Sequence, residues 1–399
     1  MGENQAKPKS CSKKAKRLLR LGSRVLKDAY SGDGKLLLRK GAMIESISMI
    51  QRLLQPDVRF GDERSTEIPL DLDNEKKIDN APSMEAIEFA QKVEKATRIK
   101  SEAVSEIKSI YQQVEQGETI EVEVVERVVA SLAENLLEDS RALVSLVELK
   151  NADEYTYTHS VHVGILAMFL SLHTELRDKV EEVGLGALLH DIGKAEIPPS
   201  ILNKPGPLTQ QEMKQIKRHP VAGYEKLKKS GETRQIVLDC VLYHHETMDG
   251  NGYPEGRKSY NLPLTARIAA IADKYDALTT DRPYRQAMNP KEALSIMTSQ
   301  MSKELDDVLL RNFVSIIGYY PVGSYIELSN GSIARVINHY ATHPDKPRVI
   351  LLADCQGEAL PSQPVIELSK EKNISVIRFL NQRELSALPV FPSPTEKAA

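Results

Sequence analysis

Long apolar runs are missing from this 399-residue sequence. A bilayer-spanning helix needs roughly 18 or more consecutive apolar residues, and the longest candidate, Val163 to Leu172, is about half that length. It reads as a buried helix. Cysteine is scarce as well: Cys11, Cys240 and Cys355 are odd in number and widely spaced. They provide neither a disulfide framework nor a zinc knuckle, so the expected compartment is the reducing cytoplasm. Cys240, four residues before His244, reads as a small buried residue rather than a ligand. Excess charge is absent too. A net charge of -3 argues against a general nucleic-acid coat protein. The basic run of residues 1–22 (Lys7, Lys9, Lys13, Lys14, Lys16, Arg17, Arg20) reads as a solvated flexible tail. No apolar stretch follows it, so it is not expected to be a secretory leader.

A hydrophobic content of 41% is ordinary for a globular chain of two or three domains. Residues 23–60 suggest a small α+β module: a strand over Arg24 to Ala29, a turn at Ser31-Gly32-Asp33-Gly34, a strand over Lys35 to Leu38, and a helix over Glu45 to Leu54. Residues 61–83 turn acidic and irregular, as linkers do. Two long amphipathic helices are expected over 84–150, separated at Gln116-Gly117. They suit packing on a following core better than a coiled-coil seam between two chains. The pattern stays helical over 151–318. There Thr209-Gln210-Gln211-Glu212 forms a capping box ahead of the helix expected to deliver His219. Residues 319–380 become β-rich, with a hairpin and type I′ turn at Ser329-Asn330-Gly331, and 381–399 form a tail. The fold class is mainly α, with small α+β and β appendages.

The chemistry concentrates between residues 155 and 285. His159, His190-Asp191, His219-Pro220, His244-His245 and Asp273 supply five imidazoles and two carboxylates. Nitrogen and oxygen donors without cysteine suit iron or manganese, and also zinc or nickel. A carboxylate can bridge two cations through its two oxygens, whereas an imidazole caps one, so Asp191 is the natural bridging ligand.

The ordered series His190-Asp191-Ile192-Gly193-Lys194, His219-Pro220, His244-His245, Gly252-Tyr253-Pro254, Asp273-Lys274-Tyr275-Asp276 and Arg282-Pro283-Tyr284-Arg285 resembles the HD-GYP domain. That family is a branch of the HD metallohydrolases associated with cyclic dinucleotide phosphodiesterases. The resemblance covers about a third of the chain. It implies a helical catalytic domain that hydrolyses cyclic di-GMP in bacterial second-messenger signalling, to pGpG, with the choice between pGpG and GMP as end product left open. It implies two divalent cations, iron or manganese first. His159, His190 and Asp273 would share one with Asp191, and His219, His244 and His245 would hold the other. Two adjacent cations can generate a nucleophile, neutralise phosphoryl oxygens and assist the leaving oxygen.

Lys194 follows Asp191 by three residues and, on a helix face shared with it, can meet a phosphate as a point charge. Asp276 is expected to orient a ligand or water from behind. Arg282 and Arg285 match the family's phosphate contacts, and Tyr253 matches a substrate-facing position. Some family members hold a third cation through a glutamate four residues before the first histidine. Tyr155 stands there, and Glu154 lies about 100° around the helix, so a binuclear site is expected.

His162 falls outside the pattern, and His173, His339 and His343 read as satisfied core histidines. Three alternatives stay open: hydrolysis of cyclic GMP-AMP, another HD nucleotide hydrolase, and a catalytically silent adaptor that binds a cyclic dinucleotide or a partner protein. Diguanylate cyclase-domain proteins and a second copy of the chain are the protein partners this resemblance suggests. Nucleic acid is not among them.

Overall fold

The computed structural model describes residues 27–39, 42, 53, 58–60, 82–148, 155–202, 204–281, 286–340, 342–371, 373–381, 384 and 385. The basic run of 1–22, nearly all of the expected helix over Glu45 to Leu54, and almost the whole linker lie outside them. Before residue 61 the described chain forms a small antiparallel sheet of β1 (Ala29–Tyr30), β2 (Leu36–Leu38) and β3 (Arg59–Phe60), with β1 in the middle. The Gly34 N–H donates to the Ser31 carbonyl at the expected turn. The third strand, two residues long, carries no periodicity that a sequence reading could use.

Two long helices follow. Helix α1 (Met84–Glu115) begins where Ser83 Oγ accepts the Ala86 N–H and ends at Gln116, just before Gly117 at φ 86. Helix α2 (Val122–Glu148) is interrupted at Asp139, whose backbone is extended (φ -157, ψ 95). There the Asp139 carboxylate accepts the Arg141 N–H at 3.1 Å, capping the second segment. It also pairs with Arg141 at 2.7 Å and, across the interface, with Lys92 of α1 at 2.8 Å. The apolar stripes of both helices (Ile107, Ile110 and Val114; Val125, Val129, Leu132 and Leu136) are buried in one core with the helices that follow. They are thus committed to their own chain rather than to a coiled-coil seam.

The helical unit continues with α3 (Tyr155–Ser171), α4 (Val180–Leu188), a 3₁₀ turn (Ile192–Glu196), α5 (Pro199–Leu202), α6 (Gln210–Ile216), α7 (His219–Lys229), α8 (Gln235–Tyr243), α9 (Leu264–Thr279), α10 (Pro290–Ser299) and α11 (Asp307–Ile317), and all of these except α5 and α6 contribute buried residues to that core. Helix α3 is the apolar run noted above, and it is buried from Val161 through Leu170. A helix apolar on all sides belongs inside a core. Each fully buried aliphatic side chain there contributes roughly 1.5–3 kcal/mol. Among the described residues no helix is long and apolar enough to cross a membrane.

The capping box forms: Thr209 Oγ1 accepts the Glu212 N–H, and Glu212 accepts the Thr209 N–H. Its helix, α6, stops at Ile216, however, and His219 opens the next one, α7. Pro220 explains the break, because proline has no N–H to return to the Ile216 carbonyl four residues back, and proline is favoured in a first turn.

Beyond Gly318 an antiparallel sheet forms from β4 (Tyr325–Leu328), β5 (Ile333–Tyr340), β6 (His343–Ala353), β7 (Val365–Glu367) and β8 (Val376–Phe379), in the order β7-β6-β5-β4-β8. The β4–β5 turn is not type I′. Gly331 has φ 84, while Asn330 is not among the positive-φ residues. The Gly331 N–H returns to the Leu328 carbonyl, and Asn330 Oδ1 accepts the Ser332 N–H. By satisfying a neighbouring N–H, the asparagine side chain lets glycine alone carry the left-handed step. The sheet docks on the start of α1. Ala86 and Phe89 pack with Val322, Ile337, Ile350 and Leu352, and Arg348 pairs with Glu85 at 2.6 Å.

The kink in α2 gives a stability test. Burial alone would raise the Asp139 carboxyl, but hydrogen bonds from Arg141 and Lys92 outweigh it and bring its pKa to about 2. A depressed carboxylate stabilises the fold above its unfolded pKa and loses that contribution as pH falls through the folded one. With both cations partly exposed, the contribution is about 1–2 kcal/mol. Asp139→Asn should melt several degrees below the parent at pH 7, and the gap should close between pH 4 and pH 2. A gap that held at pH 2 would mean the charge is not what Asp139 contributes.

Candidate metal centre

Three of the five histidines are anchored in the same way. His190 stands just beyond α4, His219 just beyond α6, and His244 at the end of α8. In each, ring Nδ1 lies on the carbonyl three residues back: Ala187 at 2.7 Å, Ile216 at 2.7 Å and Val241 at 2.9 Å. A helix C-terminus leaves such carbonyls without an intrahelical partner, and an imidazole N–H satisfies one. A carbonyl only accepts, so Nδ1 must carry the hydrogen and Nε2 is turned inward. His159 lies within α3, where no free carbonyl is offered, and its Nδ1 instead meets Asp276 Oδ2 at 2.7 Å.

The inward nitrogens converge on Asp191. Its Oδ1 lies 3.1 Å from His219 Nε2 and 3.8 Å from His244 Nε2. Its Oδ2 lies 3.2 Å from His190 Nε2 and 3.8 Å from His159 Nε2. Asp273 Oδ1 closes the second side at 3.2 Å from His159 Nε2. Two groups of donor atoms result, each with all its atoms within 4.8 Å of one another: Asp191, His219, His244 and His245; and His159, His190 and Asp273.

Electrostatics separates the two groups. Burial, then the neighbouring rings, holds His244 well below its ordinary value, and burial takes His245 down to about 3. Both are therefore neutral donors at pH 7. Burial would also lower His159, but hydrogen bonds to Asp273 and Asp276 overcome it and hold the ring up to about 9. Burial works against ionised Asp191 and Asp273, but His190 and Lys194 beside Asp191, and the hydrogen bond from His159 to Asp273, keep both below the usual carboxylate range.

The donors fit divalent cations. His219 Nε2 and His244 Nε2 face each other at 3.2 Å, and because each ring directs its Nδ1 hydrogen at a carbonyl, both Nε2 atoms are placed to donate to one point. Asp191 Oδ1 and His190 Nε2 are buried without a hydrogen bond, which is costly unless a cation takes their place as partner.

The segment after His245 folds back over this cluster. Gly252 makes the return: a Cβ there would stand 2.5 Å from the His245 carbonyl and from Glu246 Cα. Tyr253 then lies on His245, with ring centroids 4.7 Å apart and planes 30° apart, after which the Tyr253–Pro254 bond is cis. Glu246, which the sequence reading passed over, fixes this fold. Its buried carboxylate accepts the N–H groups of Glu255, Gly256 and Arg257 at 2.7, 3.0 and 2.9 Å. The one available signal was an acidic residue inside a segment otherwise committed to ligands and turn formers.

Lys194 is on a 3₁₀ turn rather than an α-helix, where positions three apart eclipse, and its Nζ is 2.5 Å from Asp191 Oδ2. Gly193 beside it permits the approach of α7, because a Cβ would fall 2.0 Å from the His219 carbonyl. Asp276 receives both His159 and His162, the latter at 2.9 Å, and Thr280 at 3.2 Å. His162 is therefore bound to the carboxylate behind the cluster. Arg282 and Arg285 lie outside the described residues, as does Glu154, and only the backbone of Tyr155 is described.

Cys240 is fully buried against Gly186. His173 and His343 are exposed rather than core, bonded to the Phe169 carbonyl and to Thr342, while His339 is half-buried. A further contributor comes from α1: Tyr111, buried at 2% exposure, has its hydroxyl 3.3 Å from Ser160 Oγ, beside His159.

Residues 130–309 match the HD domain family, and residues 325–388 match the KOW domain associated with HD domain. Cyclic di-GMP phosphodiesterase PA4108 of Pseudomonas aeruginosa is 36% identical over 290 residues, covering 72% of this chain and 70% of that protein. The cyclic di-GMP phosphodiesterase response regulator RpfG of Xanthomonas campestris is 44% identical over 154 residues, or 37% of this chain and 40% of that one. The 3'3'-cGAMP-specific phosphodiesterase 1 of Vibrio cholerae is 34% identical over 186 residues, covering 45% and 42%. Among solved structures, Bd1817, a HDG"Y"P protein from Bdellovibrio bacteriovorus, aligns with a TM-score of 0.46 at 19% identity, over 74% of this chain and 96% of that one.

Glu246 is open to test. Glu246→Ala would leave three backbone N–H groups without their acceptor, at about 1–3 kcal/mol for each one that stays buried. Amide hydrogen exchange at residues 255–257 should accelerate by more than about tenfold, with a lower melting temperature. Unchanged protection of those three amides would show that the loop holds itself.

Proposed function

The chain belongs to the HD-GYP family of HD-domain phosphodiesterases, and we propose that it hydrolyses cyclic di-GMP at the His/Asp cluster, with one divalent cation in each of its two donor groups. The observation that carries this reading is the arrangement around Asp191. Its two oxygens face separate sets of imidazoles, and bare nitrogens of His219 and His244 meet at 3.2 Å. His219, His244 and His245 would hold one cation, His159, His190 and Asp273 the other, and Asp191 would contact both. When bound, such a pair supplies Lewis acidity and a nucleophile at neutral pH. Iron or manganese suits the nitrogen and oxygen donors, and zinc or nickel is the alternative.

The rest of the work falls to the protein. Hydrogen bonds at Nδ1 hold His190, His219 and His244 in one tautomer and one orientation. Asp276 does the same for His159 and adds negative charge behind it. Lys194, paired with Asp191 and 24% exposed, stands where its ammonium can pass to a phosphoryl oxygen. Tyr253 covers His245 and offers a ring to a base or ribose. Arg282 and Arg285 are assigned to substrate phosphates by their match to the family motif. The reading places the enzyme in the cytoplasm. A diguanylate cyclase-domain protein or a second copy of the chain is its protein partner by the same resemblance.

Asp191→Ala should retain less than about a tenth of cyclic di-GMP turnover with an unchanged circular dichroism spectrum, because both donor groups lose their shared carboxylate. Greater retention would remove the shared-carboxylate reading. Elemental analysis of anaerobically purified protein should find two metals per chain, since the residue four before His159 is a tyrosine. Without a third cation to hold a terminal phosphate, linear pGpG should accumulate before GMP in a chromatographic time course. Three metals, or GMP with no lag, would overturn the count. Cyclic GMP-AMP belongs in the same assay as the competing substrate, given the 34% identical relative specific for it.

A further inference from the structure

Lys217 is the last residue before the turn that brings in His219, capping α6. Its ammonium lies over the Tyr253 ring, 5.0 Å from the centroid, within the range where a cation is attracted to an aromatic face. The same ring also packs on His245, with centroids 4.7 Å apart and planes tilted by 30°. Tyr253 therefore forms a shelf running from the cluster to Lys217.

Several other cations of the helical unit are engaged with carboxylates: Lys194 with Asp191 at 2.5 Å, Lys204 with Glu212 at 2.7 Å, Lys226 with Glu196 at 3.0 Å, and Arg257 with Glu255 at 2.8 Å. Lys217 is exposed and has no carboxylate partner among the described residues. Its charge is held in place by an aromatic ring and left available to an anion.

A cyclic dinucleotide carries two phosphodiesters on opposite sides of one ring. When one lies at the cluster, the other must extend past the rim. We propose that Lys217 binds this second, uncleaved phosphate, with Tyr253 as the spacer between the reacting and the non-reacting halves of the substrate. The inference rests on the phosphodiesterase reading above and adds a residue that selects substrates with two phosphates over those with one. Lys217 touches substrate remote from the reacting atoms, so its contribution is to binding.

The experiment compares the full chain, Lys217→Ala and Lys217→Arg on cyclic di-GMP and on bis(p-nitrophenyl) phosphate, which has a single phosphodiester. Loss of one charge-assisted phosphate contact should raise KM for cyclic di-GMP about tenfold in Lys217→Ala, with kcat within about twofold. Lys217→Arg should recover most of that loss, and bis(p-nitrophenyl) phosphate should discriminate little among the three proteins. KM for cyclic di-GMP should also rise with salt less steeply in Lys217→Ala than in the parent. An unchanged KM in Lys217→Ala, or an equal loss on both substrates, would overturn the inference while leaving the phosphodiesterase reading intact. A parent protein that cleaves bis(p-nitrophenyl) phosphate but no cyclic dinucleotide would remove both.

Discussion

The constraint on which the site depends is the placing of imidazole rings at helix ends. An α-helix runs out of partners for its last carbonyls, and here three helices close that gap with a histidine Nδ1 from just past their own termini. The same hydrogen bond completes the helix, selects the tautomer and aims Nε2 at Asp191. Local stability and the site's geometry are thus one interaction. Loosening a ring would leave a buried carbonyl unpaired, so thermal motion cannot easily spoil the cluster without damaging the fold.

His159 shows the same logic under a different constraint. His159 sits well before the C-terminal end of α3, so its ring takes a partner from another element, and α9 provides Asp276. The helix that carries Asp273 of the cluster therefore also carries the carboxylate that orients the His159 ring, one turn later. Because Asp276 is charged where the other three partners are neutral carbonyls, the two donor groups differ electrostatically. The side holding His159 is richer in negative charge, and the side holding His244 and His245 is neutral apart from Asp191.

Much of the helical unit could be read from the chain because its signals are local. The Thr209 capping box, the stop at Gln116-Gly117 and the apolar texture of α3 each depend on residues a few positions apart. The candidate ligands could be read because rare residue types recur in a fixed order. Other features depended on context that spacing does not carry. The end of α6 at Ile216 follows from Pro220, yet the amphipathic pattern runs through it. The turn at Asn330-Gly331 has the composition of a type I′ turn but uses the asparagine side chain in place of a second left-handed residue. Glu246 was invisible because its partners are backbone N–H groups nine to eleven residues away, which have no sequence identity. Tyr111 reaches the site from a helix that lies outside the matched HD segment, at a distance in sequence that no motif spans.

Helix α1 has its first turn bolted to the C-terminal sheet by Phe89 and Glu85, and its last turns pressed on α3 beside His159 by Tyr111. At 32 residues it is a rod of about 48 Å. A rod clamped at both ends carries load: any shift of the sheet must either be absorbed by bending the helix or be delivered to the far clamp. It also means that the catalytic unit has no clean edge at Gly318. Cutting the chain there would strip the cover from Ala86 and Phe89 and leave the strut anchored at one end only, so the sheet and the helices belong to one mechanical body although they match separate families.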